Sequence, residues 1–228
     1  LQSEKYLKLL GAKKIVNLGN LKFSQMERDK NNLNNKLKRK ILSKKIWCAA
    51  STHKNEEKLC ALVHQKLRKK NKRLLTIIIP RHIERTNDIV NEIERLNLKV
   101  HIHSSKNKLH EDTDIYLVDS YGKTKSFFKI CKTVFLGGSI IAHGGQNPLE
   151  AARYGCKILH GPNIWNFKEI YELLNQHKVS TKTNNINQIV DNVDKTFKNK
   201  VNYKNIKYKI EKIGNKILNS TKKEIDFY

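Results

Sequence analysis

Between residues 45 and 159 the chain repeats one pattern, a short apolar run rich in β-branched side chains followed by a longer amphipathic stretch. The runs read as strands at 45–50, 74–79, 99–103, 114–118, 133–137 and 157–159, with a further short run at 14–18. The stretches that follow them carry apolar residues at helical spacing, over 56–70, 85–96, 123–131, 148–154 and 167–176. Parallel strands cannot be joined by tight turns and need crossovers of about a dozen residues or more, so this alternation predicts an α/β domain with a parallel sheet. Within the runs, polar and apolar residues do not alternate, as expected of strands covered by helices on both faces.

Size and composition narrow the reading further. A chain of 228 residues holds one large or two small domains and can bury a core without disulfide staples. Its longest apolar run, 74–79, is far shorter than the roughly 18 residues that span a bilayer. Cys48, Cys60, Cys131 and Cys156 form no C-x-x-C pair, which argues against a structural zinc or a redox dithiol and for a reducing compartment. The formal net charge is +25, yet only eight of the 46 basic residues are arginine, the residue that phosphate and nucleic-acid readers favour. Two readings of that charge stand: the Lys-, Asn- and Ile-rich composition of an AT-rich genome, and attraction to an anionic lipid surface or phosphorylated substrate.

Along the chain, 24–43 is polar and free of Gly and Pro, and reads as a linker or exposed helix between 1–23 and the main body at 44–183. From 184 to 228 apolar residues recur at helical spacing (Ile186, Ile189, Val190 and Val193, then Ile206, Ile210, Ile213 and Ile217) with lysines opposite, which predicts C-terminal helices docked on a core.

In an open parallel sheet, ligands bind beyond the carboxyl ends of the strands, so the chemistry is sought in the loops that follow them. After the first strand comes Ser51-Thr52-His53-Lys54-Asn55-Glu56-Glu57, where Ser51 or Thr52 can cap the next helix and the two glutamates suit its first turn. Pro80-Arg81-His82 follows the second strand, placing an Arg where it can grip a phosphate or pair with Glu84. The loop Asp119-Ser120-Tyr121-Gly122-Lys123 offers a glycine and a lysine before a helix. The richest loop runs from Gly137-Gly138-Ser139 through His143-Gly144-Gly145-Gln146 to Asn147-Pro148-Leu149-Glu150. Its last four residues match a helix start, with Asn as N-cap, Pro at N1 and Glu at N3, and Glu150 is placed either to complete a capping box or to face a ligand's hydroxyls. A Gly-rich loop before a helix suits phosphate, although neither the P-loop nor the G-x-G-x-x-G pattern is present. His53, His82, His143 and His160 follow strands without H-x-x-x-H or H-E-x-x-H spacing, so no metal site is expected. Trp165 and Phe167 read as the wall of a pocket or as a staple on the next helix.

In order and spacing, Gly19-Asn20-Leu21-Lys22-Phe23, Ala50-Ser51-Thr52-His53, Pro80-Arg81-His82-Ile83-Glu84-Arg85, Gly137-Gly138-Ser139, Gly144 to Glu150 and Gly161-Pro162-Asn163 resemble the carboxyl-terminal half of the bacterial Kdo transferases, which attach 3-deoxy-D-manno-octulosonic acid (Kdo) to lipid A precursors. The resemblance implies one Rossmann-like half of a GT-B glycosyltransferase, the half that binds the donor CMP-Kdo. It places donor contacts on Pro80 and Arg81, on Tyr121, Gly122 and Lys123, and on Asn147, Pro148, Leu149 and Glu150, with Arg81 at the phosphate and Glu150 at the ribose hydroxyls. It implies no cofactor and no metal. The family's general base is a Glu of the amino-terminal domain, of which residues 1–23 would be the last stretch and the hinge, so no catalytic residue is expected in this chain and the chain alone would bind donor without turnover. The partners implied are CMP-Kdo, a lipid A precursor and, through the whole enzyme, the anionic cytoplasmic face of the bacterial inner membrane. Where the family usually has a Gly-Glu-Leu turn, this chain has Gly122-Lys123-Thr124, a base in place of an acid, and Ala142-His143 stand where basic or small residues are usual. Two other readings are weighed against this one: a GT-B transferase or epimerase using a uridine nucleotide sugar, and a basic nucleic-acid-binding module, for which the charge is the sole support.

Overall fold

The computed structural model describes residues 2–24, 32–199 and 204–226. Seven strands form one parallel sheet: β1 (Lys45–Thr52), β2 (Leu74–Pro80), β3 (Val100–Ile102), β4 (Ile115–Leu117), β5 (Thr133–Leu136), β6 (Lys157–His160) and β7 (Ser180–Lys182), in the spatial order β3-β4-β2-β1-β5-β6-β7. The six strands expected between 45 and 159 are present. The seventh, Ser180–Lys182, is too short and polar to register as an apolar run. The run at 14–18 forms no strand; Val16 is 45% exposed, and the described residues of its unit hold no strand for it to pair with.

The chain divides into two compact units, one formed by the segments around 2–24 and 208–226, the other by the described residues 32–199 and 204–207. In the first, α1 (Gln2–Leu9) is followed by a short helical turn at Leu21–Ser24, and Gly214 of α9 (Lys204–Asp226) lies directly against the Phe23 backbone, with no room for a Cβ. Lys14 and Glu224 form an ion pair at 3.2 Å. Residues 25–31 of the expected linker, and 200–203 of the expected tail, lie outside the described residues. None of the helices is long and apolar enough to cross a membrane, among the described residues.

The second unit carries the sheet. Helices α2 (Asn35–Leu42), α3 (Glu56–Arg68), α4 (Thr86–Glu94), α5 (Thr124–Phe128), α6 (Leu149–Arg153), α7 (Lys168–Gln176) and α8 (Ile186–Lys198) lie between and around its strands. Trp47, Ile78 and Phe135 of the central strands are buried with Cys60, Leu67, Ile89, Ile93, Ile189 and Val193 in one core under α3, α4 and α8. β2 is buried along its whole length, which explains why its sequence shows no alternation.

Strand order sets where a ligand can enter. The chain leaves β1 toward β2 on one side and returns with β5 on the other, so β1 and β5 flank the topological switch point, where open α/β sheets leave a crevice between diverging loops.

At the opposite end of the sheet a buried polar network holds β1, β2, β4 and α3 in register. The indole N–H of Trp47 donates to Thr76 Oγ1 (2.7 Å), which lies 2.9 Å from His64 Nδ1, while His64 Nε2 faces Asp114 at 3.3 Å. Asp114 also accepts from the Lys99 N–H (2.9 Å) and pairs with Arg68 (2.7 Å). Burial opposes ionisation of Asp114, but the hydrogen bonds from His64 and Lys99 and the Arg68 charge outweigh it and hold its carboxyl below the usual carboxylate range. A depressed carboxylate pKa contributes stability above its unfolded value that is lost as pH falls through the folded one. Asp114→Asn is therefore expected to cost about 2–4 kcal/mol at neutral pH and to flatten the loss of stability below about pH 4, as read by urea unfolding across pH. An unchanged acid limb would show that Asp114 does not titrate with unfolding.

Candidate functional site

The loops at the switch point are organised around a carboxylate. Glu56, at the first position of α3, is 1% exposed and turns back into the crevice between β1 and β5. Its Oε2 accepts from the N–H groups of His53 (3.0 Å) and Gly138 (2.7 Å), and its Oε1 from those of Ser139 (3.2 Å) and Ile140 (3.0 Å). Four backbone donors thus satisfy one buried carboxylate. The Gly137-Gly138-Ser139 loop, expected from its composition to cradle a phosphate, closes on Glu56 instead. Its glycines are required there: a Cβ on Gly137 would lie 2.6 Å from Thr52 Cα and 2.7 Å from Glu56 Oε2, and Gly138 sits at φ +65°.

The expected cap is different too. Neither Ser51 nor Thr52 caps α3; the residue before the helix is Asn55, at φ +76° with no side-chain cap hydrogen bond, and the Glu56 N–H donates to His53 O (2.9 Å) while the Glu56 carboxylate accepts from the His53 N–H. Glu57, the second first-turn acid, is fully buried and held by a two-pronged contact from Arg85 at 3.0 and 3.2 Å.

Toward solvent from Glu56 the crevice is lined by imidazoles, with Arg81 beside them. The His53 ring packs against His143 at 4.3 Å between centroids, tilted by 44°, and meets His82 edge-on at 5.6 Å, and Gln146 Nε2 lies 3.5 Å from His53 Nε2. Burial, followed by the neighbouring His143, His82, Arg81 and Arg85, lowers the His53 pKa to about 4, so the imidazole is neutral near pH 7. Arg81 is exposed at the exit of β2. Glu84, its expected partner, lies instead 3.2 Å from His82 Nδ1, and among the described residues Arg81 has no carboxylate partner. No group of three His, Cys, Asp or Glu is arranged to hold a metal, among the described residues.

Two further loops line the same end of the sheet. Past β4, Tyr121 is 64% exposed and Gly122 turns at φ +75° before Lys123 and α5. Asn147 precedes Pro148 and α6, and its Oδ1 accepts from the Leu149 N–H at 3.1 Å, so the asparagine at this helix start does act on its first turn. Glu150 Oε1 lies 3.5 Å from Lys125 Nζ, an ion pair that links α6 to α5 and brings the 121–125 and 147–150 segments together. Of the sequence-derived residues, Arg81 thus stands with the histidines, and Glu150 with the Tyr121-Gly122-Lys123 end of α5. Pro80, Pro148 and Leu149 are buried.

The loop after β6 braces the whole. The Ser139 hydroxyl donates to Leu136 O and accepts from the Gly161 N–H, Asn163 spans back to Ser139 and Ile140, and Asn166 bonds to Gly144 and His143. Trp165, 57% exposed, covers Gly144. The histidine cluster and the Glu56 nest were not legible one residue at a time, since each joins loops far apart in sequence.

Comparison with known proteins places the chain and its fold. The chain is 33% identical over 184 residues to the 3-deoxy-D-manno-octulosonic acid transferase of Haemophilus influenzae and 32% identical over 195 residues to that of Rickettsia prowazekii, covering 76% and 81% of this chain. It spans 42% and 41% of the length of those relatives. The solved carboxyl-terminal CMP-Kdo binding domain of WaaA from Acinetobacter baumannii superposes with a TM-score of 0.67 at 25% identity, over 80% of this chain and 94% of that one. Trehalose-6-phosphate synthase OtsA, 9% identical with a TM-score of 0.51, shares the fold. No protein-family model matches the chain. In sequence and in fold, the chain is a homologue of the carboxyl-terminal half of the Kdo transferases, a Rossmann-like half of the GT-B architecture.

Proposed function

We propose that the chain is the CMP-Kdo-binding half of a glycosyltransferase that moves Kdo from CMP-Kdo to a lipid A precursor at the cytoplasmic face of the bacterial inner membrane. The observation that carries the reading is Arg81, without a carboxylate partner among the described residues, beside three histidines at the switch point of a fold whose solved relative is a CMP-Kdo binding domain. In this reading Arg81 takes the nucleotide phosphate, Asn147 to Glu150 and Tyr121 to Lys123 take the nucleoside, and Lys125 orients the Glu150 carboxylate toward the ribose hydroxyls. Lys123, in place of the family's acid, adds a second cation near the nucleotide.

Transfer breaks the bond between Kdo and the CMP phosphate, and negative charge gathers on the departing phosphate. Fixed donors at that position stabilise it without reorganisation, so the chain's part in catalysis is electrostatic and needs no metal or cofactor. The proton of the acceptor hydroxyl goes to a base on the other domain. The chain alone is then a binding protein without turnover.

Calorimetric titration with CMP, UMP and a short oligonucleotide tests the reading. CMP is expected to bind in preference to UMP, and Arg81→Ala and Glu150→Ala to weaken it by about tenfold or more each, since 1.4 kcal/mol is tenfold. A preference for UMP would move the assignment to a uridine-donor enzyme, and oligonucleotide binding without a nucleotide signal would overturn it.

The lowered His53 pKa gives a pH dependence with a defined sign. A bound phosphate favours the imidazolium and raises that pKa, so binding takes up protons and tightens as pH falls. Lowering the pH from about 7 to about 5 is expected to favour CMP binding more in the native chain than in His53→Asn, which lacks this imidazole's proton uptake. Equal slopes would remove His53 from the phosphate's surroundings.

A further inference from the structure

The four N–H groups that converge on Glu56 form the kind of concave donor array that elsewhere receives a phosphate, and they lie at the switch point, where such a phosphate would sit. We propose that Glu56 is a resident anion that closes this nest to ligand and so restricts the site to donors with a single phosphate. The proposal rests on the reading above that the site takes a cytidine nucleotide sugar.

The geometry makes the occupancy complete. Each carboxylate oxygen accepts two N–H groups, so the nest has no donor left for a second anion. The loop is wrapped closely on the carboxylate, as the lack of space for a Cβ at Gly137 shows. Ser139, between Leu136 O and the Gly161 N–H, and the Gly145 N–H on Gly138 O at 2.8 Å, fix the loop from behind. His53 divides the two environments: its backbone N–H serves Glu56, and its ring faces His82 and His143. A phosphate at this mouth meets the Arg81 guanidinium and imidazole N–H donors. A second phosphate directed inward from there meets the Glu56 carboxylate, which repels it from the donors it would otherwise use. Glu56 touches neither reacting atom nor donor sugar in this scheme; it sets specificity by occupying the donors of the 138–140 loop.

The test uses the full chain with Glu56→Ala and Glu56→Gln, titrated with CMP and CDP, and thermal unfolding with and without sodium formate. The native chain is expected to prefer CMP over CDP, and this preference to fall by about fivefold or more in Glu56→Ala, where the nest is open to the second phosphate. Formate, a free carboxylate, is expected to raise the unfolding midpoint of Glu56→Ala more than that of the native chain and to restore the preference for CMP, effects that a merely structural glutamate would not give. Should Glu56→Ala fail to fold with or without formate, Glu56→Gln decides, since it keeps the size of the side chain and loses its charge. An unchanged CMP-to-CDP ratio in a folded variant overturns the proposal while leaving the donor reading intact, as does equal stabilisation by formate of variant and native chain. A native chain that binds neither nucleotide sinks the donor reading, and this proposal with it.

Discussion

One buried carboxylate ties the functional end of this sheet together. Glu56 belongs to α3, yet its hydrogen-bond donors come from the loop after β1 and from the loop after β5, the two segments that diverge at the switch point. Burying an unpaired carboxylate is prohibitive, and four N–H groups offset the cost only if both loops hold their present course. Everything outward of Glu56 inherits that course: His53 through its own N–H, His143 and Gln146 through the loop that continues from Gly138, and the 161–166 segment through Ser139.

Electrostatically the crevice is layered. The inner layer is anionic and fully satisfied, with Glu56 on backbone donors and Glu57 on Arg85. The outer layer carries the Arg81 guanidinium beside three imidazoles, of which His53 is held neutral first by burial and then by its neighbours His143, His82, Arg81 and Arg85. An entering phosphate therefore finds positive charge at the mouth and a closed negative floor. In the proposed reading, this division leaves the donor phosphate to the mouth, because the Gly-rich loop, the usual phosphate cradle, is already filled by Glu56.

Much of the fold was legible because helices cover both faces of the sheet: β2 is buried throughout, so its residues form an apolar run broken only by Thr76 that cannot be mistaken for an amphipathic strand. Arg81 could be found as the cation at a strand exit, and Asn147 as the residue acting on its helix start. Three features stayed hidden for physical reasons. Ser180–Lys182 pairs through its backbone at the sheet edge and needs few apolar side chains there. The run at 14–18 looked like a strand because β-branched composition reports local preference, whereas a strand also needs a neighbour. Glu56 read as a helix-dipole acid because its donors lie more than 80 residues away in sequence, at Gly138, Ser139 and Ile140, and no local pattern announces such a pairing.

The most direct measurement is a crystal structure of the chain with CMP. The nucleotide phosphate is expected on Arg81 and the His53, His82 and His143 side of the crevice, with the Glu56 carboxylate still on the four N–H groups. A phosphate seated on the N–H groups of residues 138–140, with Glu56 displaced, would contradict this expectation.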